Sequence, residues 1–194
     1  MKRINLLIAV LVFAFSINAQ VNNWAIDMAH SSVSFSISHM VISEVDGRFD
    51  KFEGKVTNSK DDFSNAKIQL TIDVSSINTG DESRDKHLKN KDFFDVEKFP
   101  EMTFLSSSMK KTTGNNYKLV GNLTMHGVTK KVTLDTKYGG TIKDPWGNTK
   151  AGFKITGTLN RTDFGLKYNS VMEAGGLMIG EEIEITCKVE LIKK

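Results

Sequence analysis

The chain has one cysteine, Cys187, in 194 residues, so no intrachain disulfide can form. Its stability must come from a buried apolar core, and a chain of this length is ample for one. Prolines are scarce as well: Pro100 and Pro145 are the only two, so little interrupts regular structure. Neither sign of charge dominates, with 26 Lys and Arg against 23 Asp and Glu. Nucleic-acid binding needs basic residues clustered on one face, and no such cluster is present. The four histidines, His30, His39, His87 and His126, form no HxH or HExxH pattern, and there is no CxxC. No metal or cofactor site is therefore expected. A serine hydrolase elbow, GxSxG, is missing too.

Long apolar runs are missing with one exception, Ile4 to Phe15, broken only by Asn5. It is too short for a membrane span. Lys2 and Arg3 precede it and Ala19 ends "SINA", the layout of a secretory signal peptide cleaved after Ala19. The expected organisation is a leader at 1–19 and one domain at 20–194, placed in the periplasm or secreted, with no stable membrane anchor. No cysteine follows the run, which argues against a lipoprotein. Without Lys2 and Arg3 the net charge falls from +3 to +1.

What the rest of the chain has is alternation. In "HSSVSFSISH" (30–39), Val33, Phe35 and Ile37 alternate with serines. A period of two is the mark of a strand with one apolar and one small polar face. The serines are expected to face outward. Similar runs cover Trp24–Met28, Ile68–Val74, Met102–Phe104, Tyr117–Met125, Val132–Tyr138, Phe153–Leu159 and Ile183–Leu191. Phe49 and Phe52 are three apart, which suggests a bend or bulge. Turn signals fall at "EVDG" (44–47), at 114–116, at Gly139–Gly140 and at "DPWGN" (144–148). One polar helix is expected within 81–94, capped by Thr79 or Asp81. These signals predict a single antiparallel β-domain, a barrel or a sandwich.

Few residues suggest chemistry. His126 precedes Gly127 and reads best as a histidine bonded to backbone at a turn. Arg84 and Asp85 would pair locally, or Arg84 would reach an anionic head group. Arg161 and Asp163 in "NRTDFGL" are expected to form a pair that holds a loop. Phe93, Phe94 and Phe99 would anchor the connection that follows the helix. Cys187 reads as a buried, inert thiol.

At these residues the sequence resembles the YceI family. The matching pieces are "WAIDMAHSSVSFSISH" (24–39), "GRFDKFEG" (47–54), "RDKHLKNKDFFDVEKFPEMTF" (84–104), "LTMHGVTKKV" (123–132) and "NRTDFGL" (160–166). Together, in this order, they are specific and span nearly all of 24–194. The resemblance implies an all-β, lipocalin-like extended antiparallel β-barrel of about eight strands with one short helix. It also implies a lumen that holds a long isoprenoid, a quinone-type amphiphile or a fatty-acid amide, and a homodimer. The lumen positions, chosen as apolar members of alternating runs, are Phe35, Ile37, Phe49, Ile72, Met102, Phe104, Leu119, Phe153 and Ile155. His39, Arg84 and Asp163 are the candidates for polar groups at the mouth. Two rival readings are a solid barrel serving as a stress- or secretion-linked interaction protein, and an enzyme on a lipid using His30, His39 or His126.

Overall fold

The computed structural model describes residues 20–170 and 177–194. The leader expected at 1–19 lies outside the described residues. Eleven strands form one sheet: β1 Asn22–Ile26, β2 Ser32–His39, β3 Ser43–Phe49, β4 Phe52–Asn58, β5 Lys67–Asp73, β6 Ile77–Asn78, β7 Glu101–Lys111, β8 Asn116–Met125, β9 Val128–Lys143, β10 Thr149–Asn160 and β11 Ile179–Lys193. One α-helix, α1, covers Glu82–Lys89.

Six of these strands pair end to end into three staves. β11 pairs with β1 from Trp24↔Lys193 to Ile26↔Leu191, then with β2 from Ser32↔Lys188 to His39↔Ile179. β4 pairs with β1 and β3 with β2, while β5 pairs with β4 and β6 with β3. The result is a closed antiparallel barrel of eight staves, each next to its neighbour in sequence. Closure removes the exposed edges that an open sheet would present.

The breaks within staves have local causes. Asp27 accepts from the Ala29 amide and Asp73 from the Ser75 amide. These side chains offer the backbone an alternative to the ladder, and each starts one turn of 3-10 helix. The third break, at Asp50–Lys51, is the bend that the Phe49–Phe52 spacing predicts.

Two expected turns lie within strands. Gly47 belongs to β3, and the β2–β3 turn falls earlier, at Met40–Ile42. Gly139 and Gly140 lie within β9, where the register with β10 jumps from Gly140↔Gly152 to Tyr138↔Phe153. That is a bulge, with Gly139 as the extra residue. The expected turns at 114–116 and 144–148 do join strands. His126 (φ 51°) and Gly127 (φ 74°) make a two-residue hairpin of the twist-compatible kind.

The two ends of the barrel differ. At the end holding the start of β1, the loop 59–66 folds back under the staves. Phe63 is buried there, its ring 5.2 Å from Trp24, 5.0 Å from Phe153 and 5.6 Å from Tyr138. Trp24 Nε1 donates to Asn58 Oδ1 at 2.7 Å, and Tyr117 Oη donates to the Asp62 carbonyl. This end is a closed floor. At the other end stand α1, the β2–β3 turn and the segment after β10. Asp81 caps α1 by accepting from the Arg84 amide, with Glu82 in the first turn and Lys86 and Lys89 in the last, as the helix dipole favours.

Candidate functional site: an apolar lumen with one mouth

The side chains that alternate inward do not fill the barrel. They enclose a cavity of about 760 Å³. An eight-stranded barrel is the size at which the interior either packs solid or holds one small ligand. The cavity fits the expected lumen and speaks against the rival reading of a solid barrel. The floor side of the cavity is bounded by Phe63, Ala66, Met109 and Leu191, all buried. The other side is bounded by exposed residues, among them Ser38, Asp81, Ser83, Arg84 and Tyr168, so that end is the mouth.

Phe35, Ile37, Phe49, Ile72, Met102, Phe104, Leu119, Phe153 and Ile155 all line the cavity. They come from β2, β3, β5, β7, β8 and β10, so inward alternation around most of the barrel brings them together. On β2, Ser36 points outward, its Oγ donating to Glu44 Oε2 at 3.1 Å. Ser34 and Ser38 also touch the edge of the cavity, although they alternate with Val33, Phe35 and Ile37 and lie on the same face of β2 as Ser36. Further lining residues were not among the expected lumen positions, although the run Ile183–Leu191 was read as a strand. Cys187 and Leu191 carry the alternation of β11, a usable signal. Phe63 sits in a loop with no period, where there was none.

Polar groups concentrate at the mouth. Arg84 and His87, three apart on α1, both border the cavity, as does His39 at the end of β2. Arg84 Nε donates to Thr79 Oγ1 at 2.8 Å and its Nη2 to the Thr79 carbonyl at 3.0 Å. Asp85 does not pair with it. That carboxylate accepts instead from the Thr79 amide and hydroxyl, at 2.8 and 2.6 Å. His87 stands edge-on to Phe93 and Tyr168, each ring centre 5.0 Å away, with Asp92 at 3.6 Å. In the depth of the lumen, Thr136 Oγ1 is buried without a hydrogen-bond partner among the described residues.

Asp163 stands at the mouth end of the barrel but does not border the cavity. It is exposed on the outside and borders a shallow groove with Lys130 and Lys131, so the expectation that it meets a ligand in the lumen is corrected. Nor does it pair with Arg161 among the described residues. Arg161 is buried and donates to the carbonyls of Gly180, Leu166 and Ile179. It fixes the segment after β10 to the start of β11 through backbone acceptors. The reason is geometric: the 3-10 turn Arg161–Phe164 sends Arg161 and Phe164 inward and leaves Asp163 in solvent.

Of the histidines offered as acid–base groups, His39 borders the cavity, whereas His30 and His126 do not. His126 Nδ1 lies 3.2 Å from the Phe164 carbonyl, a turn histidine bonded to backbone. His30 Nδ1 lies 3.0 Å from Asp27 on the outer surface. Asp27, His30 and Glu190 converge there in the manner of metal ligands. Lys150 Nζ already occupies the centre, 3.0 Å from Asp27 and 2.7 Å from Glu190. The cluster reads as an ion-pair staple between β1, β10 and β11.

An eight-stave up-and-down barrel with one floor, one polar mouth and an apolar lumen places the chain in the class of lipocalin-like barrels. Within that class the chain belongs to the YceI-like domain family, whose model matches residues 24–191. A UPF0312 protein of Staphylococcus aureus strain MSSA476 is 40% identical over 169 residues, covering 87% of this chain and 96% of its own length. The crystal structure of a Campylobacter jejuni YceI protein is similar at 34% identity and a TM-score of 0.70, covering 87% of this chain and 96% of that one. A chain described as a polyisoprenoid binding domain from Saccharophagus degradans, implicated in plant cell wall breakdown, shares the fold. Its TM-score is 0.65 at 16% identity, with 88% of this chain and 98% of that one covered.

Proposed function

We propose that this is an exported, non-enzymatic protein that holds one long isoprenoid, quinone-type or similar amphiphilic lipid in its lumen, for storage or transport. The observation that carries the reading is the 760 Å³ cavity, lined mainly by apolar side chains and closed by Phe63, with Arg84, His87 and His39 toward its mouth. At the ~30 Å³ that one water molecule takes up in the liquid, that volume holds about 25 groups of that size. Burying a chain there is worth about 0.8 kcal/mol per CH2, enough to keep an insoluble tail out of water without any chemistry. The apolar end of the lumen suits the tail. Arg84, His87 and His39 suit a head group that accepts hydrogen bonds. The polyisoprenoid-binding description of the Saccharophagus domain is consistent with this reading, and so is the leader-like pattern of charge and apolar residues in the sequence of 1–19. A homodimer and the periplasm belong to the same proposal.

The test is mass spectrometry of lipid extracted from protein purified from its own host without detergent. One co-purifying amphiphile in near-stoichiometric amount is expected. Protein that carries no lipid, and after delipidation takes up neither polyprenyl nor quinone analogues, would overturn the reading. The enzymatic alternative requires a lumen histidine, so His39→Gln and His87→Gln are expected to leave the extracted lipid chemically unchanged.

A further inference from the structure

Among the described residues, five of the ten exposed large apolar side chains lie at two hairpin tips, and these include the three most exposed of all. One is the β2–β3 turn, where Met40, Val41 and Ile42 are 40, 75 and 87% exposed. The other is the β9–β10 hairpin, with Ile142 at 66% and Trp146 at 83%. These tips stand at opposite ends of β11: His39 pairs with Ile179, and Lys150 with Ile192. Only the first adjoins the mouth. His39, its neighbour in the chain, borders the cavity, and the Met40 amide donates at 2.8 Å to the carbonyl of Met178, which also borders it.

This turn contradicts the ordinary chemistry of turns. Met40 and Val41 have φ of 53° and 65°, the left-handed region in which Gly, Asn or Asp normally sit and a β-branched residue is an outlier. Single apolar residues on a surface need no explanation. Three in a row, two of them in a disfavoured backbone conformation, incur two costs that Asn-Gly would avoid. Strain that persists at such a point directs attention to function.

We propose that the Met40–Ile42 turn seats the mouth of the barrel on a lipid bilayer, with Val41 and Ile42 entering the boundary between head groups and acyl chains. The inference rests on the reading that the lumen takes a lipid. An insoluble chain passes between bilayer and lumen without crossing water only if the mouth faces the membrane surface. A second copy of the chain is the weaker occupant. A stable protein interface takes about 20–30 residues a side, and this tip offers three.

The test uses a tryptophan at the tip. In a Trp146→Phe background, Ile42→Trp is expected to shift its emission to the blue on adding phosphatidylcholine vesicles, and to be quenched when the acyl chains are brominated. Trp146 in the unmodified chain is expected to be unaffected. No quenching at position 42, or quenching at Trp146, overturns the proposal. So does a blue shift that grows with protein concentration in the absence of vesicles, the sign of a second copy. As a second measurement, Val41→Ser with Ile42→Ser is expected to slow transfer of a fluorescent polyprenyl probe between vesicles by about ten-fold or more. Its thermal midpoint and its capture of a water-soluble geranyl-tailed dye should match the parent; an unslowed transfer overturns the proposal. If the parent protein captures no dye, the lipid-binding reading fails, whereas the quenching experiment still decides where the tip sits.

Discussion

The Phe35 ring occupies the space that a side chain on Gly47 would need. A β-carbon on Gly47 would lie 2.3 Å from Phe35 Cζ, and the two residues are directly paired between β2 and β3. The missing side chain is thus part of the lumen wall: it lets the ring lie against the staves instead of across the cavity. Gly121 serves Phe104 in the same way: a β-carbon there would fall against Phe104 Cζ.

Gly47→Ala therefore forces the Phe35 ring off its seat. The expected cost is about 1–3 kcal/mol, the range for overpacking a core, read from urea unfolding. Phe35→Leu removes the opposing atoms, so adding it to Gly47→Ala should return part of the loss. A double-mutant cycle measures that coupling. Additive effects would show that the ring and the glycine do not oppose each other.

Arg161 is expected to matter more than any other charged residue of the mouth segment. Its guanidinium is buried, spans carbonyls of Gly180, Leu166 and Ile179, and makes no ion pair among the described residues. Burial lowers its pKa from the ordinary value, yet a guanidinium stays charged. Arg161→Lys carries its three donors on a single nitrogen and not on a planar fork, so it cannot reach all three carbonyls and leaves buried ones unpaired. A loss of about 2–4 kcal/mol is expected, with faster amide exchange across 160–166. Asp163→Asn, two residues on and exposed, should change stability by less than about 0.5 kcal/mol.

The contrast between Arg161 and Asp163 shows where sequence reading stopped. The lumen positions followed from period-two alternation, because in a closed barrel one face of every strand must point inward. Asp163 lies on a 3-10 turn, where neighbouring residues diverge by an angle that no alternation reveals. Gly47 and Gly139 read as turns because glycine signals freedom of the backbone. In the fold one leaves room for a ring and the other makes a bulge. Phe63 was invisible for a different reason: a plug is defined by what it covers, and its loop carries no repeating pattern. His87 was read as part of a solvated helix, and only the fold brings Phe93 and Tyr168 against its ring.

The Asp27–Lys150–Glu190 staple predicts an acid window. Hydrogen bonds from Lys150 and His30 hold the Asp27 carboxyl down, from 3.8 to about 2. A carboxylate with a depressed folded pKa stabilises the fold above its unfolded pKa and loses that contribution as pH falls through the folded one. The stability difference between the parent and Asp27→Asn should be constant near neutral pH and shrink between pH 3.8 and about 2. Unfolding midpoints in urea across that range measure it. The Asp27 and Lys150 side chains are 13% and 14% exposed, so salt should reduce the difference only weakly. A difference that persists undiminished at the acid end would show that Asp27 acts through packing and not through its charge.

Cys187 gives a direct view of the lumen from a native side chain. It borders the cavity on β11, paired with Val33 and Ile155. Desolvation by the apolar wall pushes its thiol up to about 11. Since the thiolate is the reactive form, alkylation by a bimane reagent at neutral pH should be about a hundred-fold slower than for a free thiol, from thiolate fraction alone. The rate should rise ten-fold per pH unit up to that value. A lipid in the lumen stands between the reagent and Cys187, so loading with a polyprenyl compound should slow labelling further, while Leu119→Trp, which fills the same space, should slow it without any ligand. Labelling as fast as a free thiol, and indifferent to both, would mean that Cys187 is reached from outside the barrel and that the lumen does not control access to it.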